Sequence, residues 1–248
     1  MRSDVFEDVV TIVNEFSDEF WFEKKDTLQL ETRVVDIDHI MMIRMEVSGY
    51  SADLDADQLI SAEKALKIVK ALKKAKKNYH VESEEGGYLR FEGSEMRGRL
   101  LTGKPYVDMP KEPPVEAYRH TSSVRVIFAG NLPIVKKGLR AKLSFKKCGG
   151  DGMCALPKAV IEDNSRKEIG TVDLSAVTYM SDADIDIRLS IRDKRRNPFN
   201  AIGRIVKVIG SLEGTLYPEQ VHILSGHKDY DDGSRLSVEV FIAPTIVD

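Results

Sequence analysis

The chain repeats one order of elements: a helix, several strands, a second amphipathic helix and further strands. Apolar residues at helical spacing predict helices over 4–16 and 61–76 in the first half, and over 132–145 and 198–211 in the second. The helices of the two halves lie about 130 residues apart, and such a repeat indicates an internal duplication. A chain of 248 residues suits two domains of about 100 to 125 residues each. We therefore expect an α+β fold with two similar domains.

A proline-rich stretch separates the two halves. Its turn-forming residues are Gly103, Pro105, Pro110, Pro113 and Pro114. This density of glycine and proline is typical of an extended linker. The expected organisation is an N-terminal domain over 1–101, an interdomain connector over 102–119 and a C-terminal domain over 120–248.

The helix predicted over 61–76 separates its charge from its apolar side chains. At about 100° per residue, Ala65, Val69 and Leu72 fall on one face and a row of lysines on the other. The second-half helices show a similar basic face. The residues of these faces are Lys67, Lys70, Lys74, Lys77, Lys136, Lys137, Arg140, Arg204 and Lys207. Such faces are typical of a solvated surface or of a contact with a polyanion, and the net charge of −3 makes them local features.

The sequence offers little for catalysis or metal binding. Asp182, Asp184 and Asp186 alternate, which suits a metal site but is more typical of a solvated strand edge. Cys148 and Cys154 have the wrong spacing for a zinc knuckle and no nearby histidine, although a local disulfide would fit. A glycine-rich phosphate loop and a nucleophile signature are both absent from the sequence. We expect no enzymatic activity, no cofactor and no metal.

Nothing in the sequence predicts a membrane segment. Every apolar run is shorter than the roughly 18 residues that a spanning helix needs. The N-terminus lacks the basic-then-apolar layout of a signal peptide. The expected compartment is reducing and intracellular.

Several short segments, in order, resemble the sliding clamps of the proliferating-cell-nuclear-antigen (PCNA) type. Segment 35–43 is similar to the family's Met-Asp-x-x-His-Val-x-Leu, and 241–246 is similar to its closing Tyr-Leu-Ala-Pro-Lys-Ile. Segment 88–93 and the proline-rich linker match in order and spacing. The resemblance covers nearly the whole chain, most weakly over 145–180, and is to the archaeal type.

The resemblance implies a DNA clamp fold, in which two similar domains of antiparallel sheets carry helices on one face. Three subunits would close head to tail into a ring around duplex DNA, as a processivity factor without catalytic activity. Lysines and arginines on the helices would contact phosphates without reading bases. The nine basic residues named above are then the DNA-facing set. The protein would be cytoplasmic and chromosome-associated in an archaeon, or nuclear in a eukaryote.

The resemblance also implies two protein-binding surfaces. DNA polymerase, clamp loader, flap nuclease and ligase would insert short motifs beneath the connector, where aliphatic and aromatic anchors fill a small apolar site. The matching residues are His39, Ile40, Met42, Val107, Met109, Phe241, Ala243 and Pro244. Core packing is the alternative for His39, Ile40 and Met42. Subunits would pair through exposed sheet edges, with Arg97, Arg99, Leu101, Ile169 and Val172 at the contact.

The first helix departs from this family and leaves two alternatives open. Its polar face carries Glu7, Asp8, Glu15 and Asp18, where family members usually have some lysines. A clamp-like subunit that works only in a heterotrimer would share the basic lining unequally, which fits this helix. The other alternative is an enzyme that acts on nucleic acid, for which the alternating aspartates are the best candidates.

Overall fold

The computed structural model describes residues 1–36, 40–49, 54–74, 79–93, 97–113, 122–136, 138–149, 152–191, 197–218 and 220–243. The chain divides into two compact units. The first contains Met1–Ile37, Ile43–Lys111 and Lys228–Val238, and the second contains Asp38–Met42, Glu112–His227 and Glu239–Asp248. Each unit is therefore assembled from segments that are distant in sequence, and the expected boundaries at 102–119 remain a prediction.

The first unit contains two helices and short antiparallel sheets. The helices are α1 (Ser3–Val13) and α2 (Ala62–Lys74). The strands are β1 (Glu19–Phe20), β2 (Glu23–Asp26), β3 (Gln29–Val35), β4 (Met41–Ser48, of which 43–48 belongs here), β5 (Ile60–Ser61), β6 (Tyr79–Glu84), β7 (Tyr88–Gly93) and β8 (Arg97–Leu101). Strand β1 pairs with β5, the order β6-β7-β8 forms a second sheet, and β3 lies between β2 and β4. Both helices predicted in this half, over 4–16 and 61–76, are confirmed, and residues 75–76 lie outside the described residues.

The core of the first unit follows from the apolar stripe of α1. Val5, Val9 and Val13 recur every fourth residue and are fully buried, because residues at this spacing share one helix face. Phe6 extends the stripe onto the sheet and meets Phe91 of β7 edge to face, at 5.5 Å between ring centres. Helix α1 is thereby fixed on the sheet that contains β6 and β7.

The second unit contains one described helix and a larger antiparallel sheet. The helix is α3 (Pro198–Ile209). The strands are β9 (Val124–Ala129), β10 (Arg140–Phe145), β11 (Cys154–Glu162), β12 (Glu168–Ser181), β13 (Ile185–Ser190), β14 (Ser211–Leu216) and β15 (His222–Asp229), in the order β13-β10-β11-β12-β9-β14-β15. Both β15 and β16 (Arg235–Ile242) have residues in each unit. None of the helices in the described ranges is long and apolar enough to cross a bilayer.

The sequence also defines the ends of α3. The Asn197 side chain accepts a hydrogen bond from the backbone N–H of Asn200 at 2.8 Å, and Pro198 begins the helix. Both residues are typical of helix starts, since the cap satisfies a free N–H and proline has none to satisfy. Gly210 ends the helix at φ 98°, a conformation that suits glycine. The prediction of a helix over 198–211 is confirmed.

The helix predicted over 132–145 is wrong. Residues 131–136 have no regular secondary structure, and 140–145 form β10, which pairs with β11 and β13. The alternation that buries Ala141, Leu143 and Phe145 is the period of a strand. Gly138 has φ 110°, and a Cβ there would lie 2.3 Å from Ile161, so the turn into β10 requires glycine.

Candidate functional site

The basic face predicted for α2 is present as an exposed row of lysines. Lys67, Lys70 and Lys74 are all exposed, whereas Ala65, Val69 and Leu72 on the opposite face are buried. Lys67 pairs with Glu63, one turn earlier, at 2.6 Å, and both side chains are largely exposed. Lys77 lies outside the described residues. The helix therefore offers ammonium groups on one side while the other side holds it in the core.

Two carboxylates of α1 are engaged by cations within the first unit. Glu7 binds the ammonium of Lys73 on α2 at 2.6 Å, and this hydrogen bond raises the pKa of Lys73. Asp8 accepts hydrogen bonds from Lys228 at 2.6 Å and from the Tyr230 hydroxyl at 2.7 Å. Burial, together with the Asp8 charge, raises the pKa of Tyr230. Sequence reasoning missed both contacts, and they neutralise much of the acidic face that set α1 apart.

In the second unit an extended segment takes the place of the predicted helix. The side chain of Asn200 on α3 binds this segment through two hydrogen bonds to the backbone of Val135. Its Oδ1 accepts from Val135 N–H at 2.8 Å, and its Nδ2 donates to Val135 C=O at 2.9 Å. Val135 and Asn200 are buried. A Cβ on Gly203 would lie 3.2 Å from Leu132, so glycine permits the segment to approach α3 closely.

The basic residues predicted for the second unit therefore lie on a helix, an extended segment and a strand. Arg204 and Lys207 are on α3, half-buried and exposed respectively, and burial lowers the pKa of Arg204. Lys136 is exposed on the extended segment, and Arg140 is half-buried at the start of β10. Lys137 lies outside the described residues. The second unit offers no single helical row like that of α2 within the described part of the chain.

The residues predicted to bind partners differ in exposure. In the first unit Val107 is exposed and Met109 is nearly buried. In the second unit Met42 and Phe241 are buried, and the Ala243 N–H donates to Ile40 C=O at 2.8 Å. His39 and Pro244 lie outside the described residues. The burial of Met42 agrees with core packing, the alternative left open by the sequence, and its role in partner binding stays a prediction.

Each unit has a strand edge without a partner in the described ranges. Strand β8 pairs only with β7, and its Leu101 side chain is 64% exposed. Residues 168–173 of β12 pair with β11 alone, while 177–181 also pair with β9. Ile169 in the first of these stretches is 50% exposed. Leu101 and Ile169, two of the three apolar residues predicted at the contact, are thus exposed on these edges.

The arginines predicted at the same edge make contacts inside the sheet. Arg97 pairs with Glu92 at 2.9 Å, and Arg99 pairs with Glu84. Val172 on the other edge is half-buried. The side chains of Arg97 and Arg99 nevertheless remain largely exposed at the edge of β8.

Two of the three alternating aspartates, Asp184 and Asp186, are held in ion pairs. Asp184 accepts hydrogen bonds from the ammonium of Lys146 and from the backbone of Lys147, both at 2.8 Å, and the first of these mainly lowers its pKa. Asp186 pairs with Lys142 at 2.8 Å. Among the described residues no group of three His, Cys, Asp or Glu side chains could hold a metal ion. Cys148 and Cys154 form a disulfide bond.

Comparison with known proteins establishes the fold. No protein-family model and no curated protein matches the chain. Among solved structures, it resembles PCNA from Entamoeba histolytica with a TM-score of 0.69 and 12% identity, over 99% of this chain and 96% of that one. It also resembles the structure of the C-terminal region of FEN-1 bound to A. fulgidus PCNA, with a TM-score of 0.64 and 14% identity, over 100% and 98%. The chain has the PCNA clamp fold, which confirms the predicted fold class.

Proposed function

We propose that the protein is a DNA sliding clamp of the archaeal PCNA type: a ring without enzymatic activity that encircles duplex DNA and tethers replication and repair enzymes. The observation that carries this proposal is the exposed lysine row of α2 on a chain with the PCNA fold over its whole length. Ammonium groups that meet phosphates bind DNA of any sequence by releasing counterions. Encirclement supplies the residence time, so these contacts can be weak enough to allow sliding.

The electrostatics of α1 support this function. A carboxylate facing DNA would repel phosphate, but Glu7 and Asp8 are paired with Lys73 and Lys228. Lys67, Lys70 and Lys74 therefore act without two of the opposing charges that the sequence suggests. An overall net charge of −3 is compatible with DNA binding where the basic residues are concentrated on one surface.

Ring closure would use the edge of β8 and the edge formed by residues 168–173 of β12. Pairing β8 of one subunit with residues 168–173 of β12 in the next would join two different surfaces, a heterologous contact that forms a ring when the rotation closes. It would also cover edges that otherwise invite aggregation. The partners proposed are DNA polymerase, clamp loader, flap nuclease and ligase. For the flap nuclease, the A. fulgidus PCNA structure with the C-terminal region of FEN-1 gives a direct parallel.

A clamp-like subunit that works only in a heterotrimer is the second candidate. The observation that favours it is the missing helix at 132–145, because Lys136 and Arg140 then lie on a loop and a strand rather than on one basic helix face. A ring that includes other subunits could supply the lysines that this unit lacks.

Trapping on DNA with blocked ends tests encirclement. The full chain is allowed to thread onto a duplex tethered to a bead at one end, and the free end is then capped with streptavidin or left open. After a wash at a salt concentration that removes simple ion-pair binding, a clamp should remain on the capped duplex and leave the open one. Equal loss from both duplexes would overturn encirclement.

The same assay tests the lysine row. Lys70→Glu combined with Lys74→Glu should reduce trapping severalfold without changing stability, because both side chains are exposed and face phosphate. Lys111→Glu with Lys158→Glu makes the same change in charge at exposed positions that are not part of α2. If both double variants were trapped equally, α2 would not line the DNA.

A further inference from the structure

The first unit contains a cavity that is lined in part by residues 104–109 of the connector. Its volume is about 760 Å³, which is within the usual range of roughly 300–1,000 Å³ for ligand sites. The side chains that matter for its chemistry are Trp21, Glu23, Asp57, Lys104, Val107 and Asp108. An aromatic ring, an aliphatic wall and three carboxylates thus surround the cavity together with one ammonium group.

Most of these polar groups have no partner of their own. Within the described residues, the side chains of Asp57, Lys104 and Asp108 make no hydrogen bond or ion pair, and neither does the indole of Trp21. Glu23 has a distant contact with Lys25, at 3.5 Å. Three carboxylates and one ammonium leave the cavity negative, so a cation is the ligand that its charge favours.

The backbone fixes the acidic and aromatic walls relative to each other. The Asp57 N–H donates to Phe22 C=O at 3.0 Å, and Phe22 lies between Trp21 and Glu23 in sequence. Asp57 has φ 62°, a left-handed conformation that aspartate and asparagine tolerate better than most residues. The backbone of Asp57 is therefore tied to the residue between Trp21 and Glu23, and all three side chains line the same cavity.

We propose that this cavity binds an arginine side chain of a partner peptide. A guanidinium is planar, so it can stack on the indole while it donates paired hydrogen bonds to a carboxylate. The compact ammonium of a lysine could pair with the carboxylates, but it could not also stack on the indole as a planar guanidinium does. The inference rests on the proposed function in one respect, since a partner peptide is what supplies the arginine. This arginine would be a charged anchor in addition to the apolar anchors expected at the connector.

The single tryptophan of the chain makes the test direct. Because Trp21 is the only tryptophan, its fluorescence reports on this cavity alone. The probe is the blocked tripeptide acetyl-Gly-Arg-Gly-amide, titrated into the full chain, with the citrulline tripeptide as a neutral probe of the same shape. The arginine peptide should give a saturable change in emission, and the citrulline peptide should not.

Matched variants test which charged residues of the cavity bind the arginine peptide. Asp57→Asn with Asp108→Asn should weaken binding of the arginine peptide by about tenfold or more, since both charge-assisted hydrogen bonds are lost. Asn retains the left-handed backbone at position 57. Lys104→Gln should tighten binding. Asp55→Asn, exposed on the same loop but outside the cavity, should leave it unchanged.

Two results would overturn the inference: an equal response to both peptides, or binding that the double Asn variant does not weaken. Neither depends on DNA. If the protein is trapped on capped DNA but does not bind the arginine peptide, arginine binding in this cavity is refuted and the proposed clamp function is not. If the protein binds the peptide but is not trapped on DNA, the proposed clamp function is refuted and arginine binding in the cavity is not.

Discussion

His222 makes the stability of the second unit depend on pH. Its ring is buried, Nδ1 accepts from Tyr217 N–H at 3.1 Å, and Nε2 has no hydrogen-bond partner among the described residues. Burial lowers the pKa of His222 from 6.5 to about 4. Between these values the unfolded chain takes up a proton that the folded chain does not. The contribution to stability is therefore complete above pH 6.5 and is lost as pH falls toward 4.

Replacing this histidine should remove that part of the pH dependence. Between pH 7 and about pH 4.5, His222 should lower the free energy of unfolding by about 2 kcal/mol. His222→Asn keeps an acceptor for Tyr217 N–H but does not titrate. Urea unfolding at both pH values should show a smaller loss in this variant than in the wild type. His227→Asn, at an exposed position on the same strand, is the control, and identical losses in all three proteins would contradict the assignment.

At the scale of elements, the contact of Asn200 with Val135 fixes the segment that replaces the predicted helix. Asn200→Ala would leave a buried N–H and a buried C=O without partners, and the free energy of unfolding should fall by about 2–4 kcal/mol. Amide hydrogen exchange over 131–136 should accelerate at the same time. Lys207→Ala, exposed on the same helix, should change neither quantity. Unaltered exchange in Asn200→Ala would show that other contacts hold the segment.

Elements were predictable where only one period fits the apolar residues. In α1, the buried Val5, Val9 and Ile12 are four and then three residues apart, which fits a helix but not a strand, and that prediction holds. Over 132–145 both periods fit: Leu139 and Leu143 suit a helix, while Leu143 and Phe145 suit a strand. Pairing of β10 with β11 and β13 decides the matter, and a local pattern carries no information about that pairing.

In the candidate site, too, the sequence predicts what depends on a local pattern of apolar residues. The exposed lysines of α2 could be predicted because they lie opposite residues that must be buried. The partners of Glu7 and Asp8 could not, because Lys73 and Lys228 are 66 and 220 residues away along the chain. Long-range ion pairs depend on the finished fold and leave no periodic signal.

At the scale of the whole molecule, the free edges predict assembly. An apolar residue exposed on an unpaired strand is an aggregation hazard, and two different edges of this kind favour a closed ring of identical contacts. For the proposed ring of three subunits, light scattering after size exclusion should give a mass about three times 27.9 kDa. A monomer at micromolar concentration would instead favour the subunit that assembles only with different partners.

Single charges at the edges should separate the subunits. Leu101→Lys and Ile169→Lys each place an ammonium where an edge would pair, and both positions are at least half exposed, so the fold itself should tolerate them. Either variant should shift the mass toward 27.9 kDa, because an unpaired charge buried in an interface costs several kcal/mol. Met153→Lys adds the same charge at an exposed position that belongs to neither edge strand segment and should leave the mass unchanged. If the edge variants kept the wild-type mass, the subunits would meet elsewhere, and the basic face of α2 would have to be placed in the ring by another contact.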